Sequence, residues 1–346
     1  MNKEFIKEAG CFRIIIWLIL LLLFMVAPFI GVSITGTMSM ILDMFVMNVI
    51  MTLAMVPMIR SGCGLNFGLP LGVMAGLLGA VISLVFCPSG LGWGASLVIF
   101  AITLFIAVLI AAALGYCYGK FLNYVMGYDM IISIFVGYFC TLLMSTAWMT
   151  LPFKNHALIF DVGGGGLRSA IKLDEFWGRV LDNFLTIKMG NFFIPTGTLL
   201  FIGAVFFLAQ RLMRTITDAR ATGKVLYVNA PSVDSDRARM LSVVLSTVLG
   251  AVGILVYAQS FGFINPYETF SYVFPAAGAI ILGGASNNKA SIWNVIVGTF
   301  LFQSILSMTP MVVSHMLQTD ISEVMHTIII GGIALFAITR MVQVKR

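Results

Sequence analysis

Long apolar runs of about twenty residues, separated by short polar segments, follow one another along most of the chain. A helix of that length matches the roughly 30 Å hydrocarbon core of a bilayer. The pattern therefore predicts an all-α polytopic membrane protein, with one transmembrane domain over residues 1–346. We place ten spans near residues 11–30, 38–59, 66–87, 95–118, 130–150, 195–213, 240–261, 272–287, 291–314 and 325–342.

Composition supports this class and excludes several others. The chain has 346 residues, of which 60% are hydrophobic and only 10% are charged, against about 25% charged in soluble domains. So few charges cannot cover a water-exposed surface. The five cysteines form no CxxC pair and the three histidines are scattered, so we expect no metal site. No P-loop spacing is present, and ATP is not expected to bind this chain in that way.

The basic residues indicate how the spans are oriented, because Lys and Arg in short loops remain in the cytoplasm. With the N-terminus and C-terminus inside, fifteen of the twenty basic residues fall on the inner side. The other five fall in one external segment: Lys154, Arg168, Lys172, Arg179 and Lys188. The net charge of +6 is thus distributed by membrane side, and we expect no nucleic-acid partner.

Two segments outside the predicted spans are long enough to have structure of their own. In the external segment 151–194, apolar residues from Leu173 to Phe184 recur at helical spacing, which predicts an amphipathic helix over 173–184 at the outer interface. The inner segment 214–239 is the only sizeable cytoplasmic loop and is rich in charges of both signs. Mixed charge favours a specific protein surface over a lipid headgroup, although a solvated loop that only sets topology is the alternative.

Glycine spacing and two interruptions of the apolar pattern suggest internal organisation. Glycines recur every fourth residue at Gly64, Gly68, Gly72 and Gly76, which predicts a smooth helix face for close packing. Polar and Gly/Pro residues interrupt the chain at 60–70 and again at 262–266. The two breaks precede spans of opposite direction, as expected of an inverted repeat that relates spans two to five to spans seven to ten.

Few ionisable residues are available to couple transport to an ion gradient. Asp43 is the one carboxylate clearly within a predicted span, and His326 begins the last span. Such scarcity suits a neutral or weakly polar solute, with the energy source on another chain. For the solute path we expect polar and aromatic groups near the breaks, which give hydrogen bonds and stacking without buried charge. They are Asn48, Asn66, Phe67, Asn265 and Ser286, with Phe139 and Trp148 as weaker candidates; each could instead be an interhelical contact.

Three stretches together resemble the membrane permeases of bacterial ABC importers. They are Ser61-Gly-Cys-Gly-Leu-Asn66 with its continuation to Gly72, Ala219-Arg-Ala-Thr-Gly223 with the segment after Met240, and the Pro275 to Ser286 stretch that contains Gly283-Gly284. The resemblance covers about residues 40–340. It is to the type II branch that serves simple sugars, nucleosides, autoinducer-2 and branched-chain amino acids.

The resemblance implies a ten-helix permease in the bacterial inner membrane that pairs with a second copy or a paralogue. It implies an external solute-binding protein and a partner ATPase, which would bind the ATP and magnesium, so that this chain is neither an enzyme nor a cofactor carrier. The ATPase would dock on 214–239, through Asp218, Arg220, Gly223, Lys224, Ala230, Asp234, Asp236, Arg237 and Arg239. Ser235-Asp236 stand where the family has a small apolar turn, so the individual docking contacts differ from its pattern.

Two other classes of protein remain open from the sequence. One is a self-contained secondary transporter or channel that couples to protons through Asp43 or His326. The other is a membrane scaffold that transports nothing.

Overall fold

The computed structural model of the chain describes residues 3–86, 92–125, 127–150, 170–190, 192–226, 233–286 and 289–343. Within these ranges, it describes no side chains for residues 3–13, 188–189, 217–226, 233–235 and 333–343. The α-helices are α1 (Lys3–Val26), α2 (Ile34–Ser61), α3 (Leu69–Phe86), α4 (Trp93–Tyr124), α5 (Asp129–Thr150), α6 (Thr196–Leu226), α7 (Val233–Phe261), α8 (Val273–Leu282), α9 (Ile292–Leu317) and α10 (Ser322–Gln343). The strands are β1 (Ile171–Lys172), β2 (Ile187–Met189), β3 (Phe192–Ile194) and β4 (Phe263–Ile264).

The protein is mostly helical and multi-pass. Seven helices among the described residues are long and apolar enough to cross a membrane, within α2, α3, α4, α5, α6, α7 and α9. The predicted span at 272–287 is wrong in length, because α8 has only ten residues. Ten helical residues rise about 15 Å, half of a typical hydrocarbon core. Gly284, with a φ of +87°, ends α8, and Gly283 lies so close to α9 that a Cβ on it would overlap the Asn294 carbonyl.

The central helices of the bundle are α2 and α7. Helix α2 packs on α7, α8 and α9, while α7 also packs on α3, α4 and α6. Most residues of both helices are buried. By contrast, α4, α5 and α6 bury one stripe each and expose the other apolar face. Apolar side chains at such exposure suit contact with lipid.

The close contact of α3 with α7 depends on two of the four predicted glycines. A Cβ on Gly72 would lie 2.5 Å from the carbonyl oxygen of Thr247, and one on Gly76 would overlap Ile254. The prediction of one four-glycine helix face is wrong for Gly64 and Gly68, because both precede the start of α3. Gly68 still packs closely, since a Cβ on it would overlap the Tyr118 side chain of α4. Gly64 has a φ of +85°, which a helix does not allow.

Both predicted breaks follow a glycine with a left-handed backbone. Gly62 ends α2 with a φ of +84° and Gly262 follows α7 with a φ of +83°, a conformation with little cost for glycine alone. A Cβ on Gly137, midway along α5, would lie 2.6 Å from the Phe67 carbonyl oxygen and 2.9 Å from the Phe270 ring. The breaks after α2 and after α7 therefore reach the same level of α5.

The segment 170–195 packs on the bundle and is not an interfacial helix. Residues 174–185 form consecutive turns, and Arg179 and Leu185 have φ values of +53° and +52°, which interrupt any helix there. The apolar residues that suggested a helix over 173–184 are instead buried on the protein, as Leu173, Phe176, Trp177, Val180 and Leu181. Strand β1 pairs with β4, and β2 pairs with β3, both antiparallel.

The predicted loop 214–239 is largely helical. Helix α6 continues to Leu226 and α7 begins at Val233, so only residues 227–232 between them lie outside the described part of the chain. The charged residues of this segment predict a connector between two spans, and that prediction is wrong for most of its length. Because helices extend freely into water beyond the bilayer, charge there does not end them.

Candidate functional site

Two cavities lie at opposite ends of α2. The first, which we name the Asp43 cavity, has a volume of about 490 Å³ and is lined by α2, the segment 170–195 and the end of α7. The second, the Arg60 cavity, has a volume of about 500 Å³ and is lined by Arg60 and the turn between α8 and α9. Both volumes suit a small solute.

The Asp43 cavity is lined by charged groups of both signs. Its lining residues are Asp43, Val46, Met47, Arg179, Asp182, Asn183, Phe193, Pro195, Ser260 and Phe261. Asp43 lies within electrostatic reach of both Asp182 and Arg179. The cavity thus combines two carboxylates, one guanidinium, an amide and a hydroxyl with two aromatic rings.

Asp182 is held in place by neutral donors from α6 and α7. Its Oδ1 accepts hydrogen bonds from Thr198 Oγ1, from Gln259 Nε2 at 3.3 Å and from Ser260 Oγ at 3.2 Å. The Gln259 Oε1 in turn accepts the Leu181 N–H at 3.1 Å. A buried carboxylate needs such partners, because desolvation of the charge would otherwise cost several kcal/mol.

Asp182 and Arg179 were missed as site residues from the sequence. Their helical spacing with apolar neighbours placed them on the polar face of a supposed interfacial helix. The signal that could have identified them is their position beside the large aromatic residues Trp177 and Phe184 in the sequence. Trp93 Nε1 donates to the Val180 carbonyl at 3.1 Å, and the Trp93 and Phe184 rings stack with centroids 5.6 Å apart. These contacts attach the segment to α4.

The Arg60 cavity is basic. Arg60 Nε donates to the Ala290 carbonyl at 2.7 Å, and Lys289 also lines the cavity. Ser286, a predicted path residue, lines it too and exchanges backbone hydrogen bonds with Lys289 across the turn. Ser291 and Asn294 cap the N-terminus of α9 reciprocally.

Asn66 and Phe67 lie deep in the bundle, between the two cavities. Asn66 is completely buried, and its Nδ2 donates to Ser246 Oγ at 2.7 Å. Ser246 Oγ donates on to the Ala54 carbonyl at 2.5 Å. This chain of hydrogen bonds links the break to α7 and α2. Asn66 Oδ1 has no hydrogen-bond partner among the described residues.

The remaining path candidates are dispersed. Asn48 is half-buried and its Nδ2 donates to the Met44 carbonyl of its own helix, while the Asn265 Oδ1 accepts the Tyr267 N–H at 3.0 Å within the second break. Trp148 belongs to the buried stripe of α5, whereas Phe139 is 64% exposed on the opposite face. The structure therefore does not bring the seven residues into one site.

The described part of the predicted coupling region separates into two kinds of residue. Asp236 and Arg237 are exposed. Arg239 is not available for docking, because its Nη2 lies 2.6 Å from Asp129 Oδ1 on α5 and both side chains are largely buried. The other candidates, Asp218, Arg220, Gly223, Lys224, Ala230 and Asp234, lie outside the residues whose side chains the structure describes.

His326 is half-buried near the start of α10 and does not line either described cavity. Within the described residues, no group of three or more His, Cys, Asp or Glu side chains could hold a metal ion.

No protein-family model, curated protein or solved structure matches this chain. The residues and their geometry therefore carry the functional argument.

Proposed function

We propose that the chain is the transmembrane permease subunit of an ABC importer for a small neutral solute, sugar-like or nucleoside-like. The observation that carries the proposal is a duplicated packing pattern with a break before α3 and another before α8. Transporters built from inverted repeats place their solute path where the repeats meet, and their broken helices line it.

The packing pairs support an inverted repeat in which α2 to α5 correspond to α7 to α10. In this repeat α2 corresponds to α7, α3 to α8, α4 to α9 and α5 to α10. The packed pairs α3–α4, α3–α7, α4–α7 and α3–α5 then correspond to α8–α9, α8–α2, α9–α2 and α8–α10. All eight pairs occur in the bundle. The left-handed Gly62 and Gly262 occupy equivalent places, just after the first helix of each proposed repeat.

Two cavities at opposite ends, with a closed middle, support a transport role. Asn66, Phe67 and Leu65 are buried between the cavities, so no open channel connects them through this part of the bundle. A solute would cross after a rigid-body shift of helices. In the proposal, an ATPase drives this shift through the ends of α6 and α7, near the exposed Asp236 and Arg237. The external binding protein and a second permease copy complete the complex.

The experiment measures solute uptake into membrane vesicles of defined orientation. The vesicles carry the chain together with the ATPase and binding protein of its own organism. We expect accumulation of a member of a sugar and nucleoside panel that vanadate abolishes and a protonophore does not. Arg237→Glu should reduce the uptake. Glu175→Gln, which alters an exposed residue of the segment 170–195, should not. Accumulation that needs no ATPase and stops with the protonophore would refute the importer proposal.

A proton-coupled secondary transporter is the second candidate, favoured by one observation. Asp43 and Asp182 line the same cavity, and neighbouring carboxylates commonly share protons. In the uptake experiment, this candidate predicts sensitivity to the protonophore and loss of transport in Asp43→Asn.

A further inference from the structure

The Asp43 cavity has a composition that a neutral solute does not require. Two carboxylates, Asp43 and Asp182, face a single guanidinium from Arg179, so the lining carries one net negative charge. The rings of Phe193 and Phe261 also line it. Carboxylates together with aromatic faces are the groups that bind organic ammonium ions, through charge-assisted hydrogen bonds and cation–π contacts.

One oxygen in this cavity is left without a partner. Asp182 is only 6% exposed, and all the hydrogen bonds that the described residues donate to its carboxylate go to Oδ1. The Oδ2 accepts none of them. Asp182 is nine-tenths buried and lines the cavity, so this oxygen is available to a hydrogen-bond donor from an occupant of the cavity.

The backbone around Arg179 is held in an uncommon conformation. Its φ of +53° is in the left-handed region, which is costly for a residue other than glycine. Its N–H donates to the Gln259 carbonyl at 2.7 Å, beside the Gln259 amide that holds Asp182. The same residue of α7 thus positions both the guanidinium and the buried carboxylate on the cavity wall.

We infer that the Asp43 cavity binds the protonated amino group of a small hydroxylated amine, between Asp43 and the free Asp182 Oδ2. The hydroxyl oxygens accept from Arg179 and the Asn183 amide, so the occupant satisfies both signs of charge in the lining. A sugar without an amino group gives neither carboxylate a cationic donor. A protonated amino sugar is one such occupant; it is sugar-like but cationic, so the inference departs from the neutral solute of the proposed function, and its binding requires no ATPase.

The test uses the full chain in lipid nanodiscs and three probes that differ at one position. They are glucosamine, glucose and N-acetylglucosamine, and ethanolamine serves as a hydroxylated primary amine of another shape. We expect glucosamine or ethanolamine to raise the thermal unfolding midpoint while the two neutral sugars do not. Isothermal titration of the stabilising amine should then show a ten- to one-hundred-fold weaker Kd in Asp182→Asn and in Asp43→Asn.

Asp182→Asn is a mild change, because an asparagine keeps Oδ1 for its three donors and alters only the second atom. Glu175→Gln removes an exposed charge of the same segment outside the cavity lining, and should bind as the parent chain does. Equal effects of amines and neutral sugars on the parent chain, or unchanged affinity in both Asp variants, would overturn the inference. Loss of ATP-driven uptake with amine binding intact would refute only the proposed function.

Discussion

The ion pair between Asp129 and Arg239 joins α5 to α7 at the end of the bundle that contains Arg60. Asp129 begins α5, where a carboxylate also interacts favourably with the helix dipole. Its backbone carbonyl accepts from Ser133, which in turn accepts from Tyr118 of α4. One buried polar network therefore fixes three helices, and removal of one charge would leave the other largely desolvated. The charged segment 214–239 predicted Arg239 on a docking surface, because no local pattern reveals a partner that lies 110 positions away.

Arg239→Ala should destabilise the protein by about 3 kcal/mol, the lower limit for breaking a buried pair, because a little solvent still reaches both side chains. The double variant Asp129→Asn with Arg239→Gln should recover part of this loss, since it leaves no unpaired charge. The matched control is Arg237→Ala, two residues away and exposed, which should change stability by less than about 0.5 kcal/mol. Thermal unfolding in detergent measures all three. Equal shifts for Arg239→Ala and Arg237→Ala would contradict the buried role.

At the level of elements, apolar run length was sufficient to predict the long helices, such as α4 over 95–118 and α9 over 291–314. Run length gave a wrong prediction where apolar residues face the protein interior outside a membrane span. Residues 173–184 are apolar because they pack on Phe100, Trp93 and α7, and left-handed residues prevent a helix. The seven path residues could not be predicted as a group, since amide and aromatic side chains serve interhelical contacts equally well. Asp182 depends on donors from two distant helices, which no local pattern reveals.

Glycine spacing alone did not separate packing glycines from turn glycines, but the structure allows that distinction to be tested. Gly72→Ala should destabilise the protein by about 1–3 kcal/mol, because the new methyl group would meet the backbone of Thr247 and Gly250 of α7. Gly203→Ala is the matched control in α6, where nothing lies within 4 Å of the new atom. It should be neutral or stabilising by up to about 1 kcal/mol. Unfolding midpoints that move in the same direction would exclude close α3–α7 packing as the cause.

At the scale of the whole molecule, the distance between the two cavities along α2 indicates where they lie relative to the membrane. Asp43 and Arg60 are seventeen residues apart on α2, which corresponds to about 26 Å along the helix axis. That distance approaches the thickness of the hydrocarbon core. The two cavities should therefore open near opposite faces of the bilayer, with the buried Asn66 level between them. The proposed orientation, with both termini inside, assigns the Asp43 cavity to the outside and the Arg60 cavity to the cytoplasm.

Cysteine labelling tests this arrangement directly. In a variant whose five cysteines are replaced, Asn183→Cys should react with an impermeant maleimide added outside intact cells, because Asn183 is exposed and lines the Asp43 cavity. Ser286→Cys, exposed at the Arg60 cavity, should react only after the cytoplasmic face is opened. Phe135→Cys, 70% exposed on α5, should remain unlabelled from both sides because a thiol in lipid does not ionise. Labelling of Asn183→Cys and Ser286→Cys from one side would refute the proposed topology, since a single crossing of α2 separates the two cavities.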